Sequence, residues 1–154
     1  MIVGARVDFR LIHGQVGNLW ANARQVSRFM VVDDQVAEDA VQKQVLRMAT
    51  PATCKLSVLP VEKAAANITA GKYDAQRLFI VVKKPETYVK LAKAGVKFDQ
   101  IILGNITSMD IVKSYSRNLN CGQDDVDALT ELQNMGIPMV IQLTPQDNPV
   151  DFSL

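Results

Sequence analysis

The chain has 154 residues, of which 48% are hydrophobic and 21% charged, and this composition excludes both a disordered and a fibrous protein. The 17 basic and 16 acidic residues give a net charge of +1, which argues against the strongly basic surface of a nucleic-acid-binding protein. This length fits a single domain that spans residues 1–154 and encloses one core.

The placement of individual residues argues against two further classes. No apolar run approaches the roughly 18 residues of a membrane helix, and Arg6 interrupts the apolar start before a secretory signal could form. We therefore expect a cytoplasmic protein that reaches a membrane only through partners. Cys54 and Cys121 are far apart and accompanied by one histidine, so we expect neither a zinc site nor a disulfide, and no cofactor.

The first predicted strand, residues 2–5, leads into a stretch that contains His13, the only histidine of the chain. An amphipathic helix is predicted to begin near Gly14 or Gln15. His13 is therefore expected on the loop that joins the first strand to the first helix, and open α/β sheets bind their ligands on loops of this kind.

This loop combines several groups that bind anions such as phosphate. Arg10 and Arg6 supply guanidinium groups that match phosphate oxygens in a bidentate way. Gly14 removes a Cβ beside the histidine, and a helix that begins at Gly14 or Gln15 would direct its free N–H groups into the same space. The predicted phosphate-binding residues are therefore Arg6, Arg10, Gly14 and Gln15.

His13 is the predicted reactive residue. A neutral imidazole has one unprotonated nitrogen, which is a competent nucleophile toward phosphorus. Asp8 could accept a hydrogen bond from the other ring nitrogen or could orient Arg10, and the sequence leaves both interpretations open. A lone histidine in a loop is more often structural, so the prediction depends on the charged residues around it.

The second predicted strand, residues 29–32, ends in Asp33 and Asp34. These carboxylates have two interpretations: they cap the following helix, or one of them orients Arg10, Arg6 or the imidazole. The helix that follows is predicted to turn an apolar stripe toward the core, and this stripe consists of Ala37, Ala40, Val41, Val45 and Met48.

The rest of the chain alternates predicted strands and helices. Further strands are predicted at residues 56–59, 78–82, 101–103 and 139–143. Further helices are predicted to begin near Pro60, Pro85 and Gln123. Residues 109–121 have a weak pattern, for which we expect irregular structure with one short strand at about 116–120. Residues 145–154 are expected to form a loose tail or a surface clasp.

This alternation predicts an α/β fold with an open, mostly parallel, twisted sheet of about six or seven strands and helices on both faces. Lys83 and Lys84 follow the most hydrophobic strand. They could extend the positive field around His13, meet an acidic partner or simply be solvated.

Residues 8–16, Asp-Phe-Arg-Leu-Ile-His-Gly-Gln-Val, resemble the IIB component of the mannose/fructose/sorbose class of the bacterial sugar phosphotransferase system. Residues 31–37, Val-Val-Asp-Asp-Gln-Val-Ala, extend the likeness, and weaker matches follow at residues 57–64 and 71–73. The resemblance implies the same α/β architecture, with one strand near the C-terminal edge of the sheet running antiparallel.

The resemblance also implies a function: a phosphotransferase that accepts a phosphoryl group from a phosphohistidine on a IIA partner and passes it to a sugar. The sugar would enter through a IIC and IID membrane complex. His13 matches the residue that is phosphorylated at Nδ1, Arg10 matches the phosphate-binding arginine, and Arg6 and Asp8 fall at matching positions. Phe9 departs from the small or acidic residues familiar there. The identity of the sugar and a possible homo-oligomer stay open.

A second hypothesis is a flavodoxin-like or receiver-like signalling module without covalent histidine chemistry, in which Asp33 and Asp34 belong to an acidic metal pocket. Such a module needs a phosphoacceptor aspartate after a central strand, but strand 78–82 is followed by Lys83 and Lys84. The resemblance instead favours a role at the phosphoryl site for at least one of the two aspartates. Dinucleotide binding is excluded because no Gly-x-Gly-x-x-Gly follows the first strand.

Overall fold

The computed structural model describes all residues from 1 to 154. Strands and helices alternate over most of the chain, with bounds β1 (Ile2–Asp8), α1 (Val16–Arg24), β2 (Arg28–Val32), α2 (Ala40–Ala49), β3 (Lys55–Leu59), α3 (Val61–Thr69), β4 (Leu78–Val82), α4 (Pro85–Lys93), β5 (Ile101–Asn105), β6 (Lys113–Ser116), β7 (Leu119–Cys121), α5 (Gln123–Asn134), β8 (Met139–Ile141) and β9 (Val150–Phe152). A short 3₁₀ helix, Val36–Glu38, precedes α2. None of the helices is both long and apolar enough to cross a membrane.

Seven strands form one sheet in the order β3-β2-β4-β1-β5-β8-β9. All neighbouring pairs are parallel except β8 with β9, which are antiparallel. The predicted α/β architecture, including the antiparallel strand at the C-terminal edge, is therefore confirmed. Strand β1 lies in the middle of the sheet, so its carboxyl end is flanked by β4 and β5 at the edge where ligands of such folds bind.

Helices cover both faces of the sheet. Helices α3, α4 and α5 pack on one face through buried residues such as Tyr88 and Leu129. Helices α1 and α2 cover the other face, where Trp20 and Leu46 join the apolar side chains of β2 and β4. Burial on both faces explains why β2 and β4 are continuous apolar runs in the sequence.

Helix α2 is oriented differently from the prediction. The Asp39 side chain accepts hydrogen bonds from the backbone N–H groups of Val41 and Gln42 and thereby starts the helix at Ala40. Leu46 is the buried residue of this helix. The predicted core stripe instead faces outward: Val41 is 74%, Val45 59% and Met48 78% exposed. Periodicity therefore identified an apolar face correctly but assigned it to the wrong side of the helix.

Two further expectations differ from the structure. The strand expected around residues 116–120 is an antiparallel hairpin of β6 and β7, which turns at residues 117–118. The C-terminal segment expected to be loose contains β9, which pairs with β8 and places Phe152 against the ring of Tyr115, with centroids 5.1 Å apart. One buried aromatic residue anchors this strand, and a three-residue strand is too short to produce a periodic pattern.

Candidate active site

His13 lies on the loop between β1 and α1, as predicted. The loop is anchored to the protein core by Leu11 and Ile12, whose side chains are buried. Two residues have positive φ angles, +60° at Leu11 and +49° at Gly14, and they turn the chain sharply on either side of the histidine. Anchored apolar residues and two tight turns therefore fix the position from which the imidazole projects.

Asp8, the last residue of β1, is the centre of the hydrogen-bond network at this edge of the sheet. Its side chain is fully buried. One oxygen, Oδ1, accepts the backbone N–H of Arg10 at 3.0 Å. The other, Oδ2, lies 3.3 Å from Nη2 of Arg6, 3.1 Å from Nε2 of His13 and 3.1 Å from Nδ2 of Asn105. Four donors therefore converge on this one buried carboxylate.

The imidazole has one engaged and one free nitrogen. A carboxylate can only accept hydrogen bonds, so Nε2 of His13 carries the proton that is donated to Asp8. The other nitrogen, Nδ1, has no hydrogen-bond partner, and the side chain is 21% exposed. The lone pair of a neutral imidazole is therefore on the nitrogen that is available for reaction. Asp8 was expected to bind either the imidazole or the Arg10 side chain. Its carboxylate lies 3.1 Å from Nε2 of His13 but 3.9 Å from Nε of Arg10, so the contact with the imidazole is the shorter one.

Arg10 lies beside the histidine with its guanidinium half exposed. Its Nε is 3.9 Å from Oδ1 of Asp8, and its Cζ lies 5.7 Å from the centroid of the Phe9 ring. Neither contact occupies the outer N–H groups of the guanidinium. Arg10 can therefore offer a two-pronged set of donors to an anion that arrives at the loop.

Arg6 is placed differently from the expectation that it would face the phosphate. It is 2% exposed, and its Nη1 donates to the carbonyl oxygen of Gln142 at 2.8 Å. Its Cζ lies 5.5 Å from the Trp20 ring centroid, and a Cβ on Gly104 would come within 2.4 Å of that atom. Burial lowers the pKa of the Arg6 guanidinium, although the Asp8 carboxylate opposes this shift. Arg6 supports Asp8 from inside the protein.

Gly14 and Gln15 lead directly into helix α1. Nothing lies within 4 Å of the position that a Cβ on Gly14 would occupy, so the backbone is open to solvent there. Gln15 is the N-cap residue of α1, and its side chain makes no capping hydrogen bond. The first turn of a helix has N–H groups without intrahelical partners and carries partial positive charge. This helix end therefore adds positive potential next to His13.

Asp33 and Asp34 have capping roles. Oδ1 of Asp33 accepts the backbone N–H groups of Gln35 and Val36, where the 3₁₀ helix begins. Oδ1 of Asp34 accepts the N–H of Val61, the first residue of α3, at 2.8 Å. Neither carboxylate forms a hydrogen bond or ion pair with an arginine or with the imidazole. Both carboxylates thus bind helix N-termini as the capping interpretation expected, but the following helix α2 is capped by Asp39 instead. The contacts provide no acidic metal pocket of the receiver type.

Lys84 is engaged by helix α5. Its Nζ lies 2.5 Å from Oδ2 of Asp124 and 3.5 Å from Oδ1 of Asp125, both in the first turn of α5. This lysine holds the pKa of Asp124 below its usual range. The positive charge of Lys84 is thus paired locally. The Lys84 side chain also lines a cleft of about 610 Å³, which extends to Phe9 on the loop that carries His13.

The profile of the family described as PTS system sorbose subfamily IIB component matches residues 2–154. The chain belongs to this family. The match spans nearly the whole chain, so the resemblance found in residues 8–16 is confirmed over its full length.

Individual relatives agree with this membership. The sorbose-specific EIIB component of Lacticaseibacillus casei is 30% identical over 152 residues, which cover 99% of this chain and 93% of that protein. The mannose-specific EIIAB component of Escherichia coli K12 is 30% identical over 96% of this IIB chain, which spans 46% of that longer protein. The crystal structure of the IIBSor domain of the Klebsiella pneumoniae sorbose permease superposes with a TM-score of 0.92 at 27% identity, covering 98% of this chain and 93% of that one.

Two residues of the site in this IIB chain were missed by sequence reasoning. Asn105 donates to the same Asp8 oxygen as the imidazole, and Gln142 supplies the carbonyl that holds Arg6. A signal for Asn105 was present, because this polar residue follows the apolar run 101–103 after a single glycine, at the same sheet edge as His13. The role of Gln142 is played by its backbone, so no side-chain pattern indicates it.

Proposed function

We propose that this IIB chain is a phosphocarrier that accepts a phosphoryl group from a phosphohistidine of a IIA component onto Nδ1 of His13. It then transfers the group to a sugar during uptake through a IIC and IID membrane complex. The chain would work in the cytoplasm and meet the membrane through these partners. The observation that carries the proposal is the imidazole of His13, whose Nε2–H is held by buried Asp8 while Nδ1 is free.

The chemistry follows from this arrangement. The Nδ1 lone pair attacks phosphorus in line with the bond from phosphorus to the donor nitrogen, which breaks as the new P–N bond forms. As the ring gains positive character, the Asp8 carboxylate stabilises it through the Nε2 hydrogen bond, and no proton has to leave. In the second transfer a sugar hydroxyl oxygen attacks phosphorus and the P–Nδ1 bond breaks, which returns neutral His13. The hydroxyl proton passes to the sugar phosphate or to water. Positioning and charge stabilisation are the main demands of phosphoryl transfer.

Neighbouring groups stabilise the phosphoryl oxygens. Arg10 supplies exposed N–H groups, and the N-terminus of α1 with Gly14 and Gln15 supplies backbone N–H groups and partial positive charge. The relatives support such a partnership: the name of the E. coli mannose protein joins an A and a B component in one chain. Relatives named for sorbose, mannose, fructose and N-acetylgalactosamine share this family, so the proposal extends to the sugar class only.

The test is to incubate this chain with the phosphorylated A component of the same organism and to characterise the adduct by ³¹P NMR. We expect an acid-labile phosphohistidine with phosphorus on Nδ1, because Nε2 is occupied by Asp8. A chain that remains unphosphorylated contradicts the proposed function. An adduct on Nε2 contradicts the proposed acceptor nitrogen.

Replacing Arg10 by lysine keeps the positive charge but removes the planar, two-pronged donor. We expect phosphoryl uptake to become at least about tenfold slower, which corresponds to about 1.4 kcal/mol of lost transition-state stabilisation. Rapid-quench kinetics with the phosphorylated A component measures this rate. Arg77→Lys is the matched control. Arg77 directly precedes β4 and so lies at the amino ends of the strands, away from His13, and its side chain donates to the carbonyls of Arg24 and Gln25. Equal rates for Arg10→Lys and wild type would remove Arg10 from the mechanism.

A further inference from the structure

Asn105, the last residue of β5, reaches the site through an irregularity in its strand. In the pairing of β1 with β5, Val7 lies opposite Leu103 and Asp8 lies opposite Asn105, so Gly104 is an extra residue in β5. Val7 and Leu103 belong to the same buried cluster, and regular alternation would place Asn105 on their face of the sheet, away from Asp8. The extra residue instead brings the Asn105 amide to Asp8, to which it donates at 3.1 Å.

The same irregularity makes room for Arg6. A Cβ on Gly104 would overlap the buried Arg6 guanidinium, so a side chain at this position is excluded. Asn105 itself is held at two points: its backbone carbonyl accepts the N–H of Phe9 at 3.1 Å, and its amide donates to Asp8. It is 7% exposed. The strand therefore places one charged and one neutral donor around the same carboxylate.

The donors are distributed unevenly over the two oxygens of Asp8. Oδ1 accepts one hydrogen bond, from the backbone N–H of Arg10 at 3.0 Å. Oδ2 lies 3.3 Å from Nη2 of Arg6, 3.1 Å from Nε2 of His13 and 3.1 Å from Nδ2 of Asn105. A carboxylate oxygen has only about two lone-pair sites. The three donors therefore compete for Oδ2, and each hydrogen bond is weaker than it would be without the others.

The strength of the hydrogen bond between His13 and Asp8 determines how firmly a phosphoryl group is held on Nδ1. A ring that carries this group has positive character, and a carboxylate that accepts the Nε2–H stabilises it. Strong stabilisation favours uptake of the group but opposes its release, in which the P–Nδ1 bond breaks. A carrier has to perform both steps, so an intermediate hydrogen bond serves it better than the strongest one.

We propose that Asn105 is a positioning residue that limits the hydrogen bond between Asp8 and His13 and thereby keeps a phosphoryl group on Nδ1 easy to transfer. This inference rests on the proposed function, because it concerns how phosphorylated His13 releases its group. Asn105 acts only through Asp8. Its amide is uncharged, so it occupies the carboxylate without neutralising it, whereas Arg6 also compensates the buried negative charge.

The first test is the equilibrium of phosphoryl exchange between the A component and this chain, measured by ³¹P NMR. Asn105→Leu keeps the approximate size of the side chain and removes the donor. We expect the equilibrium to shift toward the phosphorylated chain by at least about threefold, because Asp8 then accepts more strongly from the Nε2–H of His13. Return of the group to the A component should slow by a similar factor. Asn105→Ala, which adds no bulk, should shift the equilibrium in the same direction.

The second test needs no phosphoryl donor. The chain has one histidine, so an untagged sample labelled with ¹⁵N-histidine gives a single set of ring signals. A stronger hydrogen bond deshields its proton, and the Nε2–H signal should therefore move downfield in Asn105→Leu. Asn67→Leu is the matched control, because the Asn67 amide also donates to a side chain, Tyr73 Oη at 3.3 Å, but lies on α3 and away from Asp8. This control is expected to match the wild type in both tests.

The outcomes separate this inference from the proposed function. If the wild type is not phosphorylated at all, the proposed function fails, while the Nε2–H signal still shows whether Asn105 limits the hydrogen bond. If the wild type is phosphorylated and the exchange equilibrium of the Asn105 variants is unchanged or shifts toward the A component, the inference is overturned, because Asn105 then only supports the fold. An Nε2–H signal that stays in place or moves upfield also overturns it. If Asn105→Leu does not fold, Asn105→Ala decides both measurements.

Discussion

Replacing His13 by alanine is expected to abolish phosphoryl uptake from the phosphorylated A component, with a loss on the order of a thousandfold or more. The chain has no other histidine, so no second imidazole can accept the group. Transfer to the sugar should disappear with it, because the covalent intermediate cannot form. Incorporation of radiolabelled phosphate and its loss in acid measure both the adduct and its chemical class.

The effect of His13→Ala on folding should be small. Asp8 loses one of four donors and keeps those from Arg6, Arg10 and Asn105, so we expect a loss of about 1 kcal/mol in the free energy of unfolding. His13→Gln is the stricter control, since a glutamine amide can still donate a hydrogen bond to Asp8 but offers no nucleophile. Persistent phosphorylation of either variant would exclude His13 as the acceptor.

Asp8→Asn is expected to weaken both folding and catalysis. The substitution removes the negative charge that compensates the buried guanidinium of Arg6, and an uncompensated buried charge costs about 3–5 kcal/mol of stability. The amide N–H₂ group also replaces an oxygen that now accepts hydrogen bonds, so at least one donor loses its acceptor. Urea unfolding measures the change in stability.

The catalytic effect of Asp8→Asn has a separate cause. Without the carboxylate, the ring of His13 is no longer held with its proton on Nε2, and the imidazolium that develops during transfer loses its counter-charge. We expect phosphoryl uptake to slow by roughly a hundredfold or more, and ¹⁵N NMR of the ring should show a changed tautomer population. Asp33→Asn is the matched control, because Asp33 caps a helix at the same sheet edge and asparagine can replace it in that role. Similar tautomer populations and rates in Asp8→Asn and wild type would contradict the assigned role.

Much of the fold could be predicted because its signals are local. Strands β2, β4 and β5 contain short apolar runs whose residues are buried, and each run is bounded by polar or glycine residues. The position of His13 followed from the same reasoning, since a loop between the first strand and the first helix must lie at the carboxyl edge of the sheet. The loop that carries the proposed phosphoryl site could therefore be predicted from the sequence.

The parts that could not be predicted depend on tertiary contacts. A charged side chain such as Arg6 is normally expected at the surface, and only the carbonyl of Gln142 and the carboxylate of Asp8 make its burial possible. The outward orientation of α2 was also unpredictable, because periodicity defines an apolar face without saying what covers it. Strand β9 depends on a single packed aromatic residue, Phe152.

The hydrogen bonds of Gln142 give the C-terminal segment an influence on a distant reaction. The Gln142 side chain donates to the carbonyl of Asp147, in the turn that leads toward β9, while its own carbonyl holds Arg6. Arg6 in turn braces Asp8, and Asp8 sets the ring of His13. Removing or displacing the last strand would therefore weaken the hydrogen bonds that orient the imidazole of His13, although no residue of that strand contacts the ring. The C-terminal segment is in this sense a remote support of the proposed phosphoryl site.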